Sequence, residues 1–134
     1  MPATNMAKAP DKSELAIRVM ATPADTNASG DIFGGWLMSQ VDIAGSIIAR
    51  RRANGRIVTV AVDSFQFHQP VFVGDLVSCY ASITRIGRTS ITVNVRAYAE
   101  RQGATHESIQ VTEADLTYVA VDEQRRPRPL PQVA

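Results

Sequence analysis

One cysteine, Cys79, stands in 134 residues, so no intrachain disulfide framework can staple the fold, and a lone thiol suits a reducing compartment. Charge of one sign is missing as well. Fourteen Lys and Arg face thirteen Asp and Glu for a net charge of +1, without the basic excess of a general nucleic-acid binder. No uninterrupted apolar run approaches the roughly 18 residues of a membrane span. Residues 1–13, MPATNMAKAPDKS, lack an apolar segment of the kind a secretory signal carries. The expectation is a cytoplasmic protein with no nucleic-acid or membrane partner. Histidine is scarce too: His68 and His106 are the two in the chain. No Cys, His or carboxylate spacing resembles a zinc site, so no metal is expected.

What is present is ordinary for one soluble domain, with 45% hydrophobic and 20% charged residues. Residues 1–13 read as an N-terminal tail, 14–121 as a single domain and 122–134 as an extended Pro- and Arg-rich C-terminal tail. Residues 14–21 alternate Leu15, Ile17 and Val19 against Ala16, Arg18 and Met20, which predicts a half-buried strand. Residues 22–35 are dense in turn formers and read as loop. From Trp36 to Arg52 there is no Pro, and Gly45 is the one Gly. The apolar positions Leu37, Val41, Ala44 and Ile48 step by four, three and four, the stripe of an amphipathic helix. Arg50, Arg51 and Arg52 suit its C-terminal dipole, and Asn54-Gly55 offers a left-handed stop.

Everything further on reads as strand: residues 57–63 and 65–69, ended by Pro70, then 76–86, 89–100 and 109–121. Turns fall at Val73-Gly74-Asp75, Gly87-Arg88 and Gln102-Gly103. The order β-α-β-β-β-β implies an α+β fold, one long helix wrapped by an antiparallel sheet of about five strands. A single helix covers one face of such a sheet. Val58, Val60 and Val62 on one face of their strand oppose Ile57, Thr59, Ala61 and Asp63, and the excess of apolar residues predicts self-association, most simply edge to edge.

Chemistry concentrates in residues 23–36. Asp25-x-Asn27-x-Ser29-Gly30 opens like a calcium loop, but the twelfth position is Trp36 rather than a bidentate Glu. Gly34-Gly35 is no phosphate loop, because no Lys-Ser/Thr follows. Two glycines at a helix N-terminus can expose backbone N–H groups to a developing oxyanion. Equally, they can let the helix approach the sheet. Asp42, mid-helix, is flanked at neighbouring turns by Met38, Ser39, Gly45 and Ser46, a strip with room for a ligand; a solvated Asp is the competing reading. Asn27 either holds a carbonyl or water through its amide or stabilises its own turn. Cys79 has no adjacent His, and Ser39 and Ser46 lack a G-x-S-x-G setting, so none reads as a nucleophile. Arg85, Gly87, Arg88, Thr89 and Ser90 cluster at one turn, which serves as a phosphate grip or as a solvated charged hairpin.

The strings ADTNASGDIFGGWLMSQVDIAG (24–45), GRIVTVAVDSFQFHQPVFVGDLV (55–77) and RIGRTSI (85–91) together resemble the hotdog-fold acyl-CoA thioesterases, and among them the bacterial YciA-type hydrolases. The likeness runs from about residue 14 to 131. It implies a fatty acyl-CoA substrate and no separate cofactor, CoA being part of substrate and product. It further implies sheet-paired dimers, commonly assembled as a trimer of dimers. By the same resemblance Asp42 is general base or nucleophile, and Asn27 positions the thioester or water from the opposite subunit. The Gly35 N–H polarises the carbonyl, Thr59 supplies a supporting hydroxyl, and residues 87–90 contact the CoA nucleotide. Two alternatives stay open. A hotdog dehydratase needs a His, here His68, against the helix carboxylate. A non-catalytic acyl-CoA sensor usually carries a DNA-binding module, which thirteen tail residues cannot encode.

Overall fold

In the computed structural model, which describes residues 13–103 and 107–133, the amphipathic segment forms one helix, α1 (Gly34–Ala53). All four positions of the expected stripe, Leu37, Val41, Ala44 and Ile48, are buried. Glycines 34, 35 and 45 disfavour a helix by about 1 kcal/mol each relative to alanine. Burial of one Val, Leu or Ile side chain contributes roughly 1.5–3 kcal/mol, so packing of this face, not propensity, holds the helix. Asn54 closes it in the left-handed conformation (φ 53°, ψ 48°), as its sequence context predicts. The helix starts two residues earlier than expected. Gly34 and Gly35 form its first turn, behind Phe33, which provides no side-chain cap.

Strands β1 (Glu14–Met20), β2 (Ile57–Phe67), β3 (Leu76–Ile86), β4 (Ser90–Glu100) and β5 (Ser108–Ala120) follow the predicted order around α1. They make one antiparallel sheet, ordered β1-β3-β4-β5-β2. Helix α1 touches all five strands. Fully buried Val77, Ile91, Val93, Val95 and Leu116 join its stripe in the core.

Two bulges change the faces that simple alternation assigns. On β1 the register shifts between Leu15 and Ile17, so Ala16 is an extra residue. Leu15 is consequently exposed, while Ala16, Ile17 and Val19 pack against the core. On β2 the register shifts between Thr59 and Ala61. Val58 therefore pairs with Val119, whereas Val62 pairs with the buried Leu116, on the opposite face. The expected common face of Val58, Val60 and Val62 does not form. The runs 57–63 and 65–69 are one strand, bent where Ser64 adopts φ 55° and a second register shift falls between Asp63 and Gln66. Strand β2 ends the sheet, with Val60, Val62 and Phe67 exposed along it.

The C-terminal segment is docked, which the reading as an extended tail did not anticipate. Oδ1 of Asp122 accepts the N–H groups of Gln124 and Arg126, turning the chain back. Leu130 then donates its N–H to Arg88 O and packs against the core. Arg128 and Arg52 donate to Ala53 O and Pro131 O, tying the segment to the end of α1. Residues 1–12 of the expected N-terminal tail and His106 lie outside the described residues.

Candidate active site

Asp42 sits on α1 where the helix crosses β2 and β5, and its carboxylate is half-buried rather than solvated. Thr59 Oγ1 on β2 donates to Asp42 Oδ1 at 2.9 Å. From β5, Tyr118 places its hydroxyl 2.9 Å from Asp42 O and 3.1 Å from Oδ1. Burial, followed by the neighbouring Asp42 charge and hydrogen bond, pushes the Tyr118 phenol well above its ordinary pKa, so it stays a donor. The two contacts made to the carboxylate itself both fall on Oδ1. Among the described residues nothing binds Asp42 Oδ2.

The bulge at Val60 keeps Thr59 on the helix face: Thr59 pairs with Tyr118 across β2 and β5, and cross-strand partners share a face. Gly45 makes room for the same cluster. A Cβ there would lie 2.4 Å from the Tyr118 hydroxyl. Tyr118 was not singled out from sequence, although a signal existed. It alternates in phase with apolar Leu116 and Ala120, and a phenol on a core face needs a polar partner.

Gly34 and Gly35 occupy the first helical turn, whose N–H groups have no intrahelical acceptor. The two sites separate the two readings of these glycines. A Cβ on Gly34 would meet the Phe67 ring at 3.3 Å, a close approach to the sheet strand. A Cβ on Gly35 would meet nothing within 4 Å, so packing within the chain does not require glycine there. Asn27 has the turn-stabilising role that local grounds allow. Its Oδ1 accepts the N–H groups of Ser29 and Asp31 in an Asx turn. Its Nδ2 has no partner among the described residues, and no hydrogen bond joins Asn27 to Asp42 within the chain.

Beside the first turn of α1 lies a cavity of about 350 Å³ lined by Ile32, Phe33, Gly34, Leu37, Phe67, His68, Gln69, Pro70 and Val71. His68 thus lines this mostly apolar cavity, and within the chain no hydrogen bond pairs it with Asp42. Cys79 is buried, with its thiol pushed up to about 12 by desolvation. Ser39 and Ser46 donate to helix carbonyls of Gly35 and Ile43. Among the described residues no group of three or more His, Cys, Asp or Glu could hold a metal ion. No helix there is long and apolar enough to cross a membrane.

A family model described as the thioesterase superfamily matches residues 29–105. This chain belongs to that superfamily. The acyl-CoA thioester hydrolase YciA of Salmonella typhimurium is 50% identical over 122 residues, covering 90% of this chain and 92% of the relative. A hexameric thioesterase from Yersinia pestis has a solved structure with TM-score 0.87 and 50% identity, covering 93% of this chain and 100% of that one. An acyl-CoA hydrolase from Staphylococcus aureus, solved with butyryl-CoA and CoA, has TM-score 0.78 and 29% identity over 88% of this chain and 71% of that one. The helix-and-sheet architecture is the hotdog fold.

Within this thioesterase chain the expected site residues fall into three places. Asp42 and Thr59 touch. Gly35 lies two turns away on the same helix, next to Gly34 of the cavity wall, and Asn27 stands in the preceding loop. Arg85, Gly87, Arg88, Thr89 and Ser90 lie at the far end of α1, about 26 Å along the helix from Gly35 at 1.5 Å per residue. There Arg88 and Gly87 line a second cavity of about 360 Å³ with Arg52 and residues 129–132. Sequence reasoning did not bring Arg52 or the C-terminal segment to this turn, because the docking contacts are non-local.

Proposed function

We propose that this thioesterase hydrolyses fatty acyl-CoA to the free acid and CoA, with Asp42 as general base or nucleophile. The observation that carries the reading is the Asp42 carboxylate, held through Oδ1 by two hydroxyls and open at Oδ2. A thioester carbonyl is electrophilic and its thiolate leaves readily, so one oriented carboxylate and one oxyanion donor suffice. The Gly35 N–H polarises the carbonyl. Water supplies the new C–O bond, either activated by Asp42 or hydrolysing the anhydride formed by direct attack. The C–S bond breaks, and the thiolate of CoA takes up a proton. Nδ2 of Asn27 from a partner subunit orients the thioester or water. The cavity lined by Ile32, Leu37, Phe67 and Val71 suits an acyl chain. Arg85 and the turn at residues 87–90 hold the nucleotide phosphates, and no separate cofactor is needed.

The protein self-associates in this reading. Its free, partly apolar β2 edge pairs with a second copy, an arrangement that removes an aggregation-prone edge. Assembly into a trimer of dimers is supported by the hexameric Yersinia relative. The near-neutral charge and single buried thiol fit a cytoplasmic location.

Thiol release measured over CoA esters from acetyl to palmitoyl tests the activity directly; no release from any ester would overturn it. In the same assay Arg88→Ala should raise KM more than it lowers kcat, since a phosphate contact is made alike in ground and transition states. Added salt should weaken wild-type binding more than that of the variant. An unchanged KM and salt response would place the nucleotide elsewhere.

A further inference from the structure

We propose that Tyr118 is a positioning residue of this site: its phenol and the Thr59 hydroxyl together occupy Asp42 Oδ1, fixing the carboxylate so that Oδ2 is the oxygen presented to water or thioester. The inference rests on the proposed role of Asp42 and assigns Tyr118 no contact with substrate.

Three independent features converge on the hydroxyl. The first is its pair of acceptors, Asp42 O at 2.9 Å and Oδ1 at 3.1 Å. Its single O–H proton is shared between the main chain and the end of the same side chain, a bifurcated bond that restrains the torsions between them. The second is burial. The residue is fully inaccessible, so its hydroxyl has no water to fall back on and must be satisfied here. The third is Gly45. Glycine is disfavoured in mid-helix relative to alanine. A Cβ at this position would stand 2.4 Å from the hydroxyl but 3.1 and 3.2 Å from the ring carbons Cζ and Cε2. The ring carbons would need to give only a few tenths of an ångström, whereas the hydroxyl would have to move away. Glycine at 45 therefore accommodates the hydroxyl in particular. If Tyr118 merely filled core volume, phenylalanine would do so without this constraint on α1.

The test uses full-length Tyr118→Phe, Gly45→Ala and the double variant, with kcat and KM measured separately on one acyl-CoA and melting temperatures recorded alongside. Tyr118→Phe should lower kcat about tenfold, the order expected for one lost hydrogen bond to a charged group, with KM within about twofold. Gly45→Ala should lower kcat similarly by displacing the hydroxyl while keeping the ring in the core. This second variant also serves if the Phe protein folds poorly. Because both substitutions break the same contact, the double variant should lose about tenfold rather than the about hundredfold of independent sites. Unchanged kcat in Tyr118→Phe, a change confined to KM, or additive loss in the double variant would each overturn the positioning role. Asp42→Ala separates the two layers. If it is inactive while Tyr118→Phe is fully active, the positioning role alone fails. If Asp42→Ala retains activity, the proposed mechanism fails and this role with it.

Discussion

Asp42→Ala is expected to lower kcat at least about a hundredfold, within the range that a positioned acid–base group contributes. The substitution removes the acceptor of two hydrogen bonds, so the expected loss must be read against folding. Tyr118 retains Asp42 O as an acceptor after the side chain is gone, and Thr59 is exposed to solvent. No buried donor is stranded, and the melting temperature should change by only a few degrees. Asp42→Asn is the sharper variant, because it keeps the shape and removes the charge. Near-normal thiol release from a well-folded Asp42→Ala protein would contradict the mechanism.

A comparable loss is expected from Gly35→Pro, for a different reason. Position 35 lies in the first turn of α1, where the N–H has no intrahelical acceptor and proline is best tolerated in a helix. A Cβ there meets nothing within 4 Å. Proline therefore deletes one donor with little disturbance, and loss of an oxyanion donor costs about 100- to 1000-fold in kcat. Gly35→Ala keeps the N–H and should lose far less. Equal losses in the two variants would mean that position 35 matters for the space it leaves and not for its donor.

The parts of this architecture visible in the sequence are those governed by local periodicity. Leu37, Val41, Ala44 and Ile48 are buried as their spacing requires, and the three hairpin-linked strands β3, β4 and β5 fall close to their predicted limits. Bulges defeat the same reasoning. Ala16 and Val60 each insert one residue, and a single insertion swaps every later side chain to the other face. The start of α1 is obscured because Gly34 and Gly35 carry loop propensity, and Phe33 lacks the polar side chain that marks a cap.

Docking of the C-terminal segment depends on backbone and arginine bonds to α1 and to the turn at Arg88, which no local pattern encodes. In the site itself, the strip of small or polar residues around Asp42 left a solvated carboxylate open, and the motif at residues 24–45 singled it out. Tyr118 was not singled out, since its bond spans 76 positions in the chain. Asn27 shows why local grounds left two readings open. Its carbonyl oxygen stabilises the turn while its amide nitrogen stays available.

In the proposed mechanism each site is built from two subunits, with Asp42 from one and Asn27 from its neighbour. Subunit exchange between the inactive variants Asn27→Ala and Asp42→Ala tests it most directly. In a mixed pair one site then holds both native residues and the other neither. Random pairing makes about half the pairs mixed, each with one working site in two, so roughly a quarter of wild-type activity should return if the sites act independently. No recovery, with exchange verified by differently tagged subunits, would contradict the shared site.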